Sequence, residues 1–265
     1  VNQLGHLEIG GCDTMLLTEK YGTPLYVMDE EFIRERCRFF RETFFDKDID
    51  TKIIYASKAF ITLAMCRLIE EEGLYLDVVS GGELYTAYKA GFPLQKVYMH
   101  GNNKTKEELY FAIEKGVGRI VIDNRYELDL ISDICQALDK KVDVLLRVNP
   151  GIETITHEYI KTAKNNSKFG ESIFSYKIIE IINKIKLNKY IKFHGFHYHL
   201  GSQILNEQPF YEGIKTMVKF IKLVSEKCEQ ETNELNLGGG FGVYYTADDV
   251  LPNLSALLKN MIKLV

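Results

Sequence analysis

Lys58, in the run Tyr55-Ala56-Ser57-Lys58, closes a short apolar stretch that reads as a strand. Burial at a strand end would favour the neutral, nucleophilic amine, the form that condenses with a carbonyl. The competing reading is a lysine that lays its stem on the core and keeps its head in water. A second cluster is Gly238-Gly239-Gly240-Phe241-Gly242. Backbone N–H groups uncovered by side chains could wrap a phosphate there, next to a helix start. The run fits neither dinucleotide nor P-loop spacing, and tight strand–helix packing is the alternative. His197 and His199 stand two apart on a strand and face the same way. That suits a metal pair, or a base beside a stacking ring. A metal-dependent amidohydrolase would carry such a pair early in the chain, with further His and Asp ligands on later strands. Here the pair arrives on the sixth strand, and no metal is expected. His157 and His194 read as loop and strand-surface residues, and His6 lies outside the alternating region.

The elements that must hold these residues alternate from residue 29 onward. A helix at about Glu30–Phe45 precedes strand Lys52–Lys58, and strands follow at Leu74–Ser80, Val97–His100, Arg119–Asp123, Val142–Asn149, Ile191–Leu200 and Glu234–Gly240. Between them run helices of 3.6 periodicity. One places Leu84, Ala87, Tyr88 and Gly91 on a face; another opens with Thr105 and Glu108 as a capping box. A third buries Leu128, Ile131, Ile134, Cys135 and Leu138, and a later one carries Phe210, Ile214, Met217, Val218, Ile221 and Val224 as a stripe. A polar loop runs to about Gly170, then a helix follows over Phe174–Ile185, and a last helix starts near Val250. Seven β-then-α units predict an α/β fold with a parallel sheet and helices outside it. The strands read as apolar on both faces. An eight-stranded TIM-type barrel needs one strand more, so the expectation is a (β/α)8 barrel cut before strand eight, or an open sheet. Residues 1–28 read as short strands (HLEIG, TPLYVM) of a separate segment, with 29–265 as the barrel domain.

Strand ends in such a barrel gather ligands. Lys58, Asp77, Ser80–Glu83, His100–Asn103, Arg147, Asn149, His197, His199, Ser202 and Gly238–Gly240 all fall there. The formal charge of −4, from 33 basic and 37 acidic residues without long runs, offers no surface for nucleic acid or anionic membrane. No apolar run approaches the ~20 residues a bilayer span needs. The first residues lack a signal pattern and an initiator Met. Five scattered cysteines, none in a CxxC pair, predict neither disulfides nor zinc and suit the cytoplasm.

YGTPLYVMDE, YASKAF, SGGEL, HGNNK, RVNPG, HYHLGSQ and LNLGGGFG, in this order and spacing, resemble the diaminopimelate decarboxylase family, pyridoxal-phosphate enzymes with an alanine-racemase-like barrel. The resemblance runs from about His6 to Tyr245. It implies that Lys58 binds pyridoxal 5'-phosphate covalently and that His199 stacks on its ring. Ser202 would hydrogen-bond the phosphate, Gly238, Gly239 and Gly240 would cradle it, and Asp77 and Arg147 would be polar neighbours. Lys58 and His199 would be the catalytic residues. Thr154–Gly170 resembles the family's flexible loop near the entrance, and HGNNK and HYHLGSQ would carry substrate preference. The implied reaction takes meso-2,6-diaminopimelate to L-lysine and CO2, the last step of lysine biosynthesis, in a cytoplasmic homodimer with shared active sites. Arginine, ornithine or carboxynorspermidine decarboxylases are the rivals in the class, and a non-catalytic pyridoxal-phosphate barrel is the rival outside it. The family's Glu-Pro-Gly-Arg segment on strand eight is not found, nor its β-domain with a proton-donor Cys and substrate-binding Tyr and Glu. Residues 1–28 would pack on that domain, and the 265 residues alone are expected to be inactive.

Overall fold

The computed structural model describes residues 1–152 and 169–265. A hairpin of β1 (Glu8–Ile9) and β2 (Cys12–Asp13) leads into α1 (Thr14–Tyr21), capped by Asp13. Then come α2 (Glu30–Thr43), β3 (Ile54–Ala56), α3 (Leu63–Glu71), β4 (Tyr75–Val78), α4 (Gly81–Ala90), β5 (Val97–Met99) and α5 (Lys106–Lys115). The chain continues through β6 (Arg119–Ile122), α6 (Arg125–Leu138), β7 (Val142–Asn149), β8 (Glu171–Ser172), α7 (Lys177–Leu187), β9 (Ile191–His197), α8 (Gln208–Cys228), β10 (Glu234–Asn236) and α9 (Leu254–Ile262). Seven strands pair in parallel in the order β10-β9-β7-β6-β5-β4-β3, and two-residue β8 pairs with the end of β7. The seven expected units are therefore present.

The sheet is rolled. Three strands separate β5 from β10, yet Tyr98 Oη on β5 donates to Glu234 Oε1 on β10 at 2.6 Å. Outside, the helix of one unit packs on the next, and α2 meets α9 between the sheet's two end strands. Each strand sends alternate residues to the two faces. Leu76, Val78, Val97, Met99, Val144 and Leu146 join the large core beneath the helices. Burying each such side chain contributes roughly 1.5–3 kcal/mol. The other face holds only a thin apolar layer of Tyr98, Val121 and Leu145, backed by Ile54 and Tyr75. Polar groups fill the interior on either side of it. The strands are thus apolar outward and largely polar inward, where apolar faces on both sides were expected. An enclosed interior in which opposite charges meet across a few ångströms holds such residues without leaving them unpaired.

At the N-terminal end of the strands, Arg119 Nη2 lies 3.0 Å from Glu234 Oε2 and Nη1 lies 3.3 Å from Asp143 Oδ2. His194 joins this floor, its Nε2 3.1 Å from Asp143 Oδ1, so it is not a surface residue. His194 is also the extra residue of a β-bulge: Val144 pairs with Phe193, but Leu145 pairs with Gly195. One inserted residue reverses the in–out phase of everything after it. Phe193 and Phe196 both join the outer core, and His197 turns inward. Gly195 makes the bulge possible, with φ 155 and a Cβ position only 1.8 Å from Glu234 O on β10.

Other expectations shift. Tyr88 is exposed, because the buried face of α4 is Leu84 and Ala87. On α8, Phe220 is buried where Val218 was expected, and Val218 is exposed. α9 starts at Leu254 rather than near Val250, since Pro252 disfavours helix before it and Asn253 caps Ala256 N. In the N-terminal segment TPLYVM is not a strand; Tyr26 is 98% exposed, and the unexpected α1 occupies residues 14–21. His157 and most of Thr154–Gly170 lie outside the described residues.

Gly195→Ala is expected to lower unfolding stability by about 3 kcal/mol or more, since a methyl group there collides with backbone that cannot rotate away. Urea denaturation checks this; a loss below about 1 kcal/mol would show that β10 can retreat.

Candidate functional site

The strand tops are fixed by the helices that follow them. Glu83 of α4 accepts from Val79 N at 2.6 Å, and Glu127 of α6 accepts from Asp123 N at 3.1 Å. Glu108 of α5 takes Thr105 N at 2.9 Å and Gly81 N at 2.6 Å. Ser80, Thr105 and Asn124 cap the same helices. Each loop is thereby held by a carboxylate three residues beyond a capping side chain. Lys104, in HGNNK, is buried as a bracket: Nζ donates to Gly101 O at 2.6 Å and Val121 O at 2.9 Å and sits 2.7 Å from Glu127 Oε1. It braces two loops.

Above the apolar layer, Asp77, His100, Asp123, Arg147, His197 and His199 converge. The rings of His100 and His197 meet edge to face with centroids 4.5 Å apart, and His100 Nε2 lies 3.8 Å from Asp77 Oδ1. Burial pushes the Asp77 carboxyl up to about 7, Glu83 adding to the push while Lys58 and Arg147 oppose it. Burial holds His100 and His197 well below the ordinary imidazole range, so the pair is neutral. Burial, with the Arg147 and Lys58 cations, brings His199 down to about 4. His199 Nδ1 accepts from Gly239 N at 3.4 Å, which leaves the proton of the neutral ring on Nε2.

Lys58 is not at a strand end. β3 stops at Ala56, and Lys58 is central in a 3₁₀ turn, Ser57–Ala59, where its side chain is exposed. Of the two readings the exposed head holds, and its charge reaches Asp77 and the three histidines. Ser202 is exposed on the loop after β9. That loop is laced to the glycine run: Ile204 N donates to Gly240 O at 2.9 Å, and Gly242 N to Ile204 O at 3.0 Å. The three glycines differ. A Cβ on Gly238 would lie 2.4 Å from Tyr198 O, and one on Gly240 would lie 1.9 Å from Gly201 O, so both are required by the neighbouring loop. A Cβ on Gly239 would meet nothing within 4 Å. The run does not open a helix; α9 begins fourteen residues after Gly240.

Residues 30–265 match the family described as pyridoxal-dependent decarboxylase, pyridoxal binding domain. The chain belongs to this family. The match between the chain and the diaminopimelate decarboxylase of Bacillus methanolicus is 48% identical, covering 99% of the chain and 61% of that protein. A solved diaminopimelate decarboxylase from M. jannaschii superposes with a TM-score of 0.91 at 35% identity, covering 100% of the chain and 61% of that structure. A second structure of the M. jannaschii enzyme, in co-complex with L-lysine, gives 0.88 at 34% identity, with 99% and 61% covered. The chain thus spans about three fifths of the length of these relatives. The fold is the pyridoxal-binding barrel domain of the pyridoxal-dependent decarboxylases, and its cofactor is pyridoxal phosphate.

The residues present fit that cofactor. Ser57 Oγ, Asp77 Oδ1 and His197 Nδ1 are buried without a hydrogen-bond partner among the described residues. Buried polar atoms left open in this way mark a place where a ligand completes the bonding. The open space beside Gly239 leaves room for an anion, and Lys58 supplies an amine. His100, His197 and Asp123 complete the polar cluster; of these, Asp123 carries no role in the sequence analysis. Among the described residues, no group of three or more His, Cys, Asp or Glu could hold a metal ion.

Two outcomes follow. Gly239→Ala should leave stability within about 1 kcal/mol of the parent, yet weaken pyridoxal-phosphate binding; equal binding by absorbance titration would remove the glycine from the cradle. His197 is neutral when folded and titrates at its ordinary value of 6.5 when unfolded. The unfolded chain therefore binds the extra proton, and His197's contribution is whole above 6.5 and falls with pH by roughly 1.4 kcal/mol per unit. His197→Phe should show a smaller drop in urea midpoint between pH 7 and pH 5 than the parent. An identical drop would mean that His197 protonates without unfolding.

Proposed function

We propose that the protein containing this chain decarboxylates meso-2,6-diaminopimelate to L-lysine and CO2, the closing step of lysine biosynthesis. The observation that carries this is the convergence, on one barrel rim, of a lysine, a neutral imidazole beside a glycine loop, and a carboxyl–guanidinium pair. The 48% identity to a diaminopimelate decarboxylase over nearly the whole chain supports the substrate, as does the L-lysine held by a structural relative.

Bound pyridoxal phosphate supplies an electron sink for the carbanion left when CO2 departs. Lys58 Nζ is the amine that holds the cofactor. Asp77, with its carboxyl at about 7, can hold or release a proton close to neutral pH within reach of the Lys58 charge. His199, kept neutral and fixed through Nδ1, presents an uncharged aromatic face suited to stacking. Gly238, Gly239 and Gly240 with the Ser202 hydroxyl bind the phosphate, and Arg147 supplies the positive charge beside Asp77.

Residues 1–28 are proposed as an interface segment distinct from the barrel of residues 29–265. Leu4, Leu7, Met15, Leu16 and Tyr26 are exposed there, an apolar surface suited to a further domain or a second copy in a homodimer with shared active sites. The cysteines are all free, and no described helix is long and apolar enough to cross a membrane. A cytoplasmic location fits both.

Borohydride treatment of the cofactor-loaded protein, followed by peptide mapping, should place the phosphopyridoxyl group on Lys58. Lys58→Ala should lose the label and at least about 10³-fold in CO2 release. A label on another lysine would overturn the site. Faster release from ornithine or arginine than from meso-diaminopimelate would overturn the substrate.

A further inference from the structure

The short strand β8 runs beside the end of β7, pairing Val148 with Glu171 and Asn149 with Ser172. Ile173 N extends the pairing by donating to Asn149 O at 3.1 Å. This lays Phe169 and Gly170 against Arg147 from two directions. The guanidinium carbon of Arg147 lies 4.5 Å from the centroid of the Phe169 ring. Gly170, at φ 68, presses on the backbone: a Cβ there would stand 2.9 Å from Arg147 O and 3.0 Å from Arg147 Cγ. Gly170 N also donates to Asp123 Oδ1 at 3.1 Å, occupying one oxygen of that carboxylate.

Two carboxyl groups, Asp123 and Asp77, both attract the Arg147 guanidinium. Left to pivot, a guanidinium closes bidentate on one carboxylate, which spends its donors on the protein. A stacked aromatic ring restrains it differently. The ring takes the face of the guanidinium and leaves the five N–H donors, which lie in its plane, at the edge. We propose that Phe169 is a positioning residue for Arg147, holding the guanidinium stacked so that its donors stay available to the bound cofactor rather than closing on Asp123. The proposal rests on the reading of this cluster as the cofactor site. It accounts for a half-buried phenyl ring in a roof that is otherwise polar, and for glycine at 170, where any side chain would displace Arg147.

The test is a double-mutant cycle in the full chain with Phe169→Leu and Arg147→Met, read in two ways. Without cofactor, urea denaturation should show the two substitutions to be non-additive, because leucine keeps the apolar volume and loses only the ring's attraction for the cation. With cofactor, absorbance titration should show Phe169→Leu weakening pyridoxal-phosphate binding about twofold to thirtyfold, the range a cation–π contact spans. It should have no effect in the Arg147→Met background. Phe169→Trp and Phe169→Tyr should restore binding, a ranking by ring electronics that simple packing would not produce. Additive stabilities, or equal binding by the Leu, Tyr and Trp variants, would overturn the positioning role. Failure of the unaltered chain to take up pyridoxal phosphate would instead overturn the reading of the site, with the cofactor-free cycle still deciding whether Phe169 holds Arg147.

Discussion

One inserted residue in β9 governs the roof of the barrel. Without the bulge at His194, the period of two would send Phe196 into the polar interior and His197 out among the helices. The bulge stands because Gly195 lets the Glu234 carbonyl of β10 approach closer than any side chain would permit. The same carboxyl-bearing residue ties β10 to Tyr98 and Arg119 across the floor. Floor and roof are therefore coupled through one strand contact. The backbone approach that anchors the ion network below also aims the imidazoles above.

The roof then acquires its electrostatic character from burial. Neutral His100 and His197 and a carboxyl poised near 7 surround an exposed lysine and a guanidinium. A site of this kind has shed charge wherever it could, keeping it on the cations. Such a balance suits an anionic ligand, because its negative charge meets fixed positive partners without facing a ring of ionised carboxylates. Asp77 Oδ1 and His197 Nδ1, without a hydrogen bond among the described residues, belong to the same logic: polar atoms kept in place by packing and left for a ligand to complete.

Residue type and order made much of this legible. The seven units were visible because a period of two and a period of 3.6 leave clear traces, and Lys58, the glycine run and His199 stood out by residue type. Other features depend on contacts between distant elements. The bulge was invisible because its cause is the carbonyl of Glu234, distant in sequence, so His194 was read on the wrong face. The inward faces read as apolar because the short strands let the outer rows dominate the pattern. Lys58 was placed at a strand end because the strand was drawn through to it, whereas the backbone leaves the sheet at Ser57. Asp123 carried no signal of its own, being one acid among many until the fold set it beside Arg147. Two further capping pairs, Ser80 with Glu83 and Asn124 with Glu127, had the same spacing as the recognised one and could have been read from it.

Those helix-start carboxylates have a consequence for how such a protein can change over time. The bonds from Glu83, Glu108 and Glu127 run to backbone amides, so they hold each loop whatever side chains the loop displays. Loop side chains that these carboxylates do not touch can then be rewritten one at a time without loosening the helices behind them. Selection can explore new rim chemistry while the frame stays intact, so a single barrel can change what its rim recognises in small steps.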